Sequence, residues 1–251
     1  MFHEAENNKG CYLFLPPYAE GLLSAFSARV SGNMSLSCGD TAGALNNRGN
    51  FLKRLGVDQS GLVCAKQAHG SSVSYICDTK RGRGAFSYDS ALPDIDALIT
   101  DRKNLPLSIF TADCLPVFLY DPKAPAIGLV HAGWRGSREN IAVKSVRMMQ
   151  DRFDSKAEDL YAAFGPAIRG CCYEVGREFA GFFSPGYLAE TAGHYYLDLA
   201  RMNKEQLLGC GVKDKNIFDC GICTACRNEE FFSYRKEGSE SGRMISVIML
   251  K

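Results

Sequence analysis

Short apolar runs dominate this chain and set what it can fold into. They are Tyr12–Leu15, Leu22–Val30, Leu62–Lys66, Ser72–Cys77, Ala97–Thr100, Leu107–Thr111, Leu115–Tyr120, Ala126–Ala132, Leu160–Phe164 and Met244–Leu250. Each is rich in aliphatic or aromatic residues and predicts a strand. Helical periodicity is confined to three places. Ala142, Val146, Met149 and Phe153 fall at i, i+4, i+7 and i+11, a clean helical stripe. Leu45, Leu52 and Leu55 give a weaker stripe, and a third helix is expected over Leu197–Leu208. Strands outnumber helices and do not alternate with them. That pattern predicts an α+β fold rather than a doubly wound parallel sheet. Lys80–Asp89 reads as a Gly- and charge-rich loop and Ser184–His194 as irregular. Neither marks a boundary, so a single domain over residues 1–251 is expected.

Composition narrows the function. The 251 residues carry 29 Lys+Arg and 28 Asp+Glu, a formal charge of +1. So even a balance disfavours electrostatic binding to nucleic acid or to a membrane surface. No uncharged stretch approaches the ~18 residues of a membrane span. Met1–Lys9 lacks an apolar h-region and does not read as a signal peptide. The 11 cysteines are odd in number and sit in a chain too long to need disulfide staples. A cytoplasmic protein with reduced thiols is the expectation.

Histidine is scarce, with only His3, His69, His131 and His194. Two of these fall in segments that look chemical. Gln67-Ala-His69-Gly70 follows a predicted strand. Thr111-Ala-Asp113-Cys114 lies between two strands. His131-Ala-Gly-Trp134-Arg135-Gly136 joins a strand to the Ala142 helix. Ile127, Leu129 and His131 share one face of their strand, so His131 points the same way as two core residues. His69, Cys114 and His131 together make a His2Cys set. In kind this is a catalytic zinc site with a fourth position open for water. The same residues suit a Cys114 nucleophile with a histidine base or a trigonal copper site. Four histidines cannot furnish a multicopper oxidase. The bland alternative is a buried cysteine and two hydrogen-bonded core histidines. Asp113 reads either as a general base or as a turn residue. Arg135-Gly136-Ser137 opens a helix, which suits an anion or a solvated arginine with Ser137 as N-cap. Cys220-x-x-Cys223-x-x-Cys226 offers three metal ligands, one short of a structural zinc site, and reads as buried or incidental cysteines. In Cys171-Cys172, adjacent residues of an extended chain face opposite ways, so a bond between them is not expected.

In order along the chain, Gln67-x-His69-Gly70, Thr111-Ala-Asp113-Cys114-Leu-Pro-Val, His131-Ala-Gly-Trp-Arg-Gly136, Gly165-Pro166-Ala-Ile, Cys172-Tyr173-Glu174-Val175 and Phe232-Ser-Tyr-Arg235 with Gly242-Arg243 resemble the YfiH-like, laccase-domain family. The resemblance runs from about Ala25 to Val247. It implies a four-layer α/β/β/α sandwich, related to cysteine hydrolases of the cytotoxic-necrotizing-factor type. It implies zinc held by His69, Cys114 and His131. The implied activities are phosphorolysis of adenosine, inosine, guanosine and methylthioadenosine (a transferase reaction) and hydrolytic deamination of adenosine. A copper-dependent polyphenol oxidase activity is attributed to some members, and some bacterial members are linked to editing of cell-wall precursors, which would suit a Cys-dependent amide hydrolase. The expected partners are therefore a purine nucleoside and phosphate. Arg48, Gln67 and Arg135 are the expected substrate-binding residues, with Asp113 as proton carrier. Two departures stand out. The family's SLNLG segment reads Ser35-Leu-Ser37-Cys38-Gly39 here, and its SYRR reads Ser233-Tyr-Arg235-Lys236.

Overall fold

The computed structural model describes residues 2–4, as backbone alone, 10–17 and 19–251. Most of the Met1–Lys9 segment thus lies outside the described residues. Two sheets carry the fold. The first orders Phe2–Glu4, Cys11–Phe14, Leu22–Ser27, Met244–Leu250 and Leu107–Thr111, every pair antiparallel. The second orders Ile217–Asp219, Tyr161–Phe164, Leu115–Asp121, Ala126–Ala132, Ala97–Thr100 and Val73–Tyr75. It is antiparallel in the middle and parallel at both edges.

Side chains alternate across each strand, and here both faces are covered. Leu98, Phe118 and Leu129 of the second sheet meet Phe14 and Phe26 of the first in one core. Ile99, Val117 and Val130, on the opposite face, pack against Ile141, Val146 and Met149 of the helix Ile141–Phe153 and Leu207 of the helix Leu199–Gly209. Leu23, Ala25 and Val247, on the outer face of the first sheet, pack against Phe51 and Leu52 of the helix Thr41–Arg54. That helix starts where Asp40 accepts from the amides of Ala42 and Gly43 at 3.0 and 2.9 Å, a cap that satisfies two of its free donors. The result is a mixed α/β fold in one chain.

Several elements differ from the sequence reading. Leu22–Val30 stops as a strand at Ser27 and continues as a 3-10 turn. Of Leu62–Lys66 only Ala65–Lys66 pairs, with Leu92–Pro93. The stretch read as irregular, Ser184–His194, holds the first strand and the turn of a hairpin, Leu188–Thr191 against His194–Leu197, extended by Glu174–Val175. Its turn residues, Ala192 and Gly193, both have positive φ, 51° and 80°. Two-residue hairpin turns demand that geometry, and Asn or Asp is the usual first residue. An alanine there hides the turn from a sequence reading.

Candidate active site

Three chain segments converge at one end of the second sheet. His69 stands in a tight turn after Ala65–Lys66, in the left-handed region at φ 57°. Cys114 lies in the turn between the strands Leu107–Thr111 and Leu115–Asp121. His131 is buried in the strand Ala126–Ala132. Their ligand atoms all lie within 4.8 Å of one another. The two imidazole rings meet edge to face, with centroids 4.8 Å apart.

Asp96, fully buried, organises this convergence. Its carboxylate accepts from the amides of Ala68, His69 and Gly70 at 3.2, 3.0 and 2.8 Å, and so fixes the turn that carries His69. One of its oxygens also sits 2.7 Å from His131 Nδ1. With Nδ1 on the carboxylate, Nε2 is the nitrogen left for Cys114 or a metal ion, the usual carboxylate–histidine arrangement around zinc. Burial works against charge on Asp96, but His131 and the amides of Gly70 and Ala68 hold its carboxyl below the ordinary value. Burial likewise opposes charge on Cys114 and His131, and their mutual attraction prevails. The Cys114 thiol is drawn down to about 6 by His131 and His69, and Cys114 and Asp96 lift His131 to about 9. A cysteine sulfur and two imidazoles with convergent ligand atoms, one ring oriented from behind by a carboxylate, fit zinc, whose catalytic sites take three such ligands and leave one position free.

The glycines of the His131 segment make room for the site. A Cβ on Gly133 would stand 3.2 Å from Cys114 Sγ and 3.4 Å from His69 Cδ2; one on Gly136 would meet the Gly70 carbonyl at 2.6 Å. Gly133 has φ −75° and ψ 175°, which alanine adopts freely. Gly133→Ala is therefore expected to leave the melting temperature almost unchanged while weakening metal binding about tenfold or more, because it displaces ligands by tenths of an ångström. A chelator competition titration reads this directly; unaltered affinity would show that Gly133 does not shape the site.

The triad borders a cavity of about 650 Å³. Arg48, Arg135, Arg235 and Arg243 line it, and among the described residues Asp113 is the only acidic side chain that does. Arg48 is nearly fully buried. Its Nε donates to Met34 O and its Nη1 to Gly84 O and Ala85 O, while the guanidinium stacks 4.4 Å from the Phe110 ring centroid. Burial lowers its pKa, and no carboxylate pairs with it among the described residues. Nη2 makes no hydrogen bond to a described residue. A pinned guanidinium without a counter-ion, at the wall of a cavity, suits an anion.

The other expected contacts come out differently. Gln67 lines the cavity, but its amide is engaged at both ends with the backbone of Phe110, at 2.9 and 2.7 Å. Asp113 sits in the turn before Cys114 at φ 89°. Its two oxygens accept from Thr224 Oγ1 at 2.6 Å and from the Arg235 amide at 2.7 Å. Arg135 is exposed, stacked over Trp134, with no hydrogen bond from its guanidinium to a described residue. The helix it belongs to, Trp134–Arg138, is capped by Gly133 and not by Ser137, which is buried and accepts from Asn203 Nδ2. Ser37 lines the cavity beside Ser35, 2.7 Å between hydroxyls. Tyr173 also lines it, whereas Glu174 next to it bonds His194 at 2.7 Å outside. Asp96 and Tyr173 are the residues that sequence reasoning missed as parts of the site.

The run Cys220, Cys223, Cys226 divides in the folded chain. Cys223 and Cys226 are not incidental: they meet Cys171 and Cys172, and the four sulfurs lie within 4.8 Å of one another. Cys171 and Cys172 do not face opposite ways, because they occupy a turn rather than extended chain. Cys220 stays outside, with its thiol against Arg169 and pushed up to about 11 by burial.

Fold, ligand triad and cavity together describe an enzyme-like site, and comparison with known proteins gives the family. Residues 23–251 match the family described as multi-copper polyphenol oxidoreductase laccase. The chain belongs to this laccase-domain, YfiH-type family. Among its relatives is the purine nucleoside phosphorylase YlmD of Geobacillus stearothermophilus, 34% identical over 250 residues, 93% of this chain and 91% of the relative. Another is adenosine deaminase RL5 of an unknown prokaryotic organism, 32% identical, with 84% of each chain covered. The crystal structure of the Bacillus licheniformis hypothetical protein YfiH superposes with a TM-score of 0.94 at 31% identity, over 100% of this chain and 99% of the other. Among the described residues, no helix is long and apolar enough to cross a membrane.

Proposed function

We propose that this protein is a zinc-dependent purine nucleoside phosphorylase that also deaminates adenosine, acting in the cytoplasm on small-molecule substrates. The observation that carries this reading is one cavity holding both the His69–Cys114–His131 set and the unpaired, pinned guanidinium of Arg48. The names of the relatives supply the substrate class. The three separate cores described above support reading the fold as the four-layer α/β/β/α sandwich.

In phosphorolysis a phosphate oxygen bonds to the anomeric carbon of the ribose while the bond to the purine breaks. Two groups need help: the entering dianion and the departing base. Arg48 presents its free Nη2 edge to the first, and Arg135, hinged at the rim over Trp134, adds a second positive charge. Trp134, Tyr173 and Tyr234 line the same cavity and offer aromatic faces for a purine. Gln67 holds Phe110, which in turn backs Arg48. His69, Cys114 and His131 would hold zinc, which when bound would supply Lewis acidity beside the cavity. For deamination the proton carrier is assigned to Asp113, each of whose oxygens has a lone pair beyond the bond it already accepts.

Arg48→Lys is the test of the phosphate assignment. A lysine keeps the charge and loses the fork. KM for phosphate is expected to rise on the order of 10–100-fold, matching the ~1.5–3 kcal/mol of a hydrogen bond to a charged group, while deamination without phosphate changes little. Equal losses in both reactions would assign Arg48 to the fold alone. The family description keeps a copper-dependent polyphenol oxidase as a second reading of the same triad. Copper-loaded protein that lacks the intense blue absorption of a copper–thiolate bond would rule out a blue site. The lowered Cys114 thiol beside His131 also suits a cysteine amide hydrolase; inactivation by alkylation combined with resistance to chelators would favour it.

A further inference from the structure

We propose that Cys171, Cys172, Cys223 and Cys226 bind one zinc-type divalent ion, a structural centre separate from the site at His69, Cys114 and His131. The four sulfurs lie within 4.8 Å of one another, with Cys226 Sγ 3.3 Å from Cys172 Sγ and 3.6 Å from Cys171 Sγ. Four thiolates about 2.3 Å from a central zinc stand about 3.8 Å apart at the corners of a tetrahedron. The observed spacing is that of ligands around a single ion. A four-iron cluster distributes its cysteines over separate irons and needs a wider cage. Disulfides need a separation of about 2.05 Å, and all four cysteines are free.

The backbone builds the cage in advance. Ala167 and Cys223 pair as an isolated bridge, and the Thr224 amide donates to Ala167 O at 3.1 Å. This pairing joins the two loops that bear the cysteines. Within each, the Cys172 amide turns back to Arg169 O and the Arg227 amide to Cys223 O, at 2.9 and 3.0 Å. Cys223-x-x-Cys226 has the ligand spacing of a zinc loop, and Cys171–Cys172 supplies the two ligands that the downstream run lacks. Cys171 and Cys226 are exposed, which gives the ion a way in.

The ion would fix one wall of the active cavity. Tyr173, which lines the cavity, follows Cys172 directly. Thr224, between Cys223 and Cys226, holds Asp113 next to Cys114. Arg235 donates to the carbonyls of Cys172 and Glu174. All ligand positions come from protein, so the centre has a positioning role and leaves no open site for substrate.

The test uses full-length Cys114→Ala protein, which disables the other site, stripped of metal and kept reduced. Cobalt(II) is titrated in, followed by zinc. The expected result is thiolate-to-cobalt charge transfer in the near ultraviolet and intense tetrahedral bands in the red, saturating at about one ion per chain and bleached by zinc. Adding Cys226→Ser is expected to weaken cobalt binding by at least ~100-fold. Folded protein, by circular dichroism, that shows no thiolate–cobalt absorption would overturn the proposal. Disulfides among the four cysteines in freshly isolated, alkylated protein would do the same. Zinc analysis of Cys114→Ala protein isolated without chelator gives an independent readout: about one ion per chain supports the proposal and none contradicts it.

Discussion

Cys114→Ala is expected to eliminate phosphorolysis and deamination together, each by on the order of 10³-fold or more, with loss of the active-site zinc. Cys114 is the anionic ligand of the three, and its thiol is already lowered to about 6 by the two histidines. Without it, His69 and His131 are a two-nitrogen site with no charge to offset the ion. Little else should change. The side chain lies at the cavity and its Cβ is retained, so, compared with metal-free wild-type protein, the melting temperature should move by no more than the ~2–4 °C that corresponds to about 1 kcal/mol in a chain of this size. Activity assays, zinc analysis and a melting curve on the same preparation check all three statements. Wild-type activity in the variant would remove the metal site from the account.

The second large effect is expected at Asp96, which touches no substrate. In Asp96→Ala, three amides from residues 68–70 and the Nδ1 of His131 lose their common acceptor. Each unsatisfied buried group costs about 1–3 kcal/mol, and the costs do not add fully because the turn relaxes. A marked fall in melting temperature follows. Asp96→Asn separates fold from function. It keeps the shape and one acceptor oxygen but turns an NH2 toward groups that donate. That variant should stay folded and lose zinc affinity about 10–100-fold, as when a carboxylate behind a zinc histidine is removed. Folded Asp96→Asn protein with wild-type affinity would show that His131 is oriented by other contacts.

The sequence showed the sheets more fully than the site. Ala97–Thr100, Leu107–Thr111, Ala126–Ala132 and Met244–Leu250 end where the apolar runs end, because both faces of those strands are buried and turn residues bound them. The hairpin at Leu188–Leu197 escaped for the opposite reason: largely exposed, it carries no apolar alternation, and Ala192 disguises its turn. His69, Cys114 and His131 were legible because so few histidines compete for the role. Asp96 was not. Asp94 and Asp96 flank Ile95 in the same turn, and only the folded chain shows that Asp94 faces solvent while Asp96 is sealed inside. Arg48 was named as a contact through the family resemblance, but its burial without a counter-ion is a tertiary fact. The four-cysteine cluster was hidden by distance along the chain, since half of its ligands come from about fifty residues upstream.

The most direct test of the proposed activity is a chromatographic product assay with purified, zinc-loaded protein and adenosine, run with and without phosphate. Adenine and ribose-1-phosphate are expected only when phosphate is present, and inosine in its absence. If neither adenine nor inosine forms, the nucleoside reading is wrong, and oxidation of phenols and hydrolysis of an amide become the leading readings of the same triad.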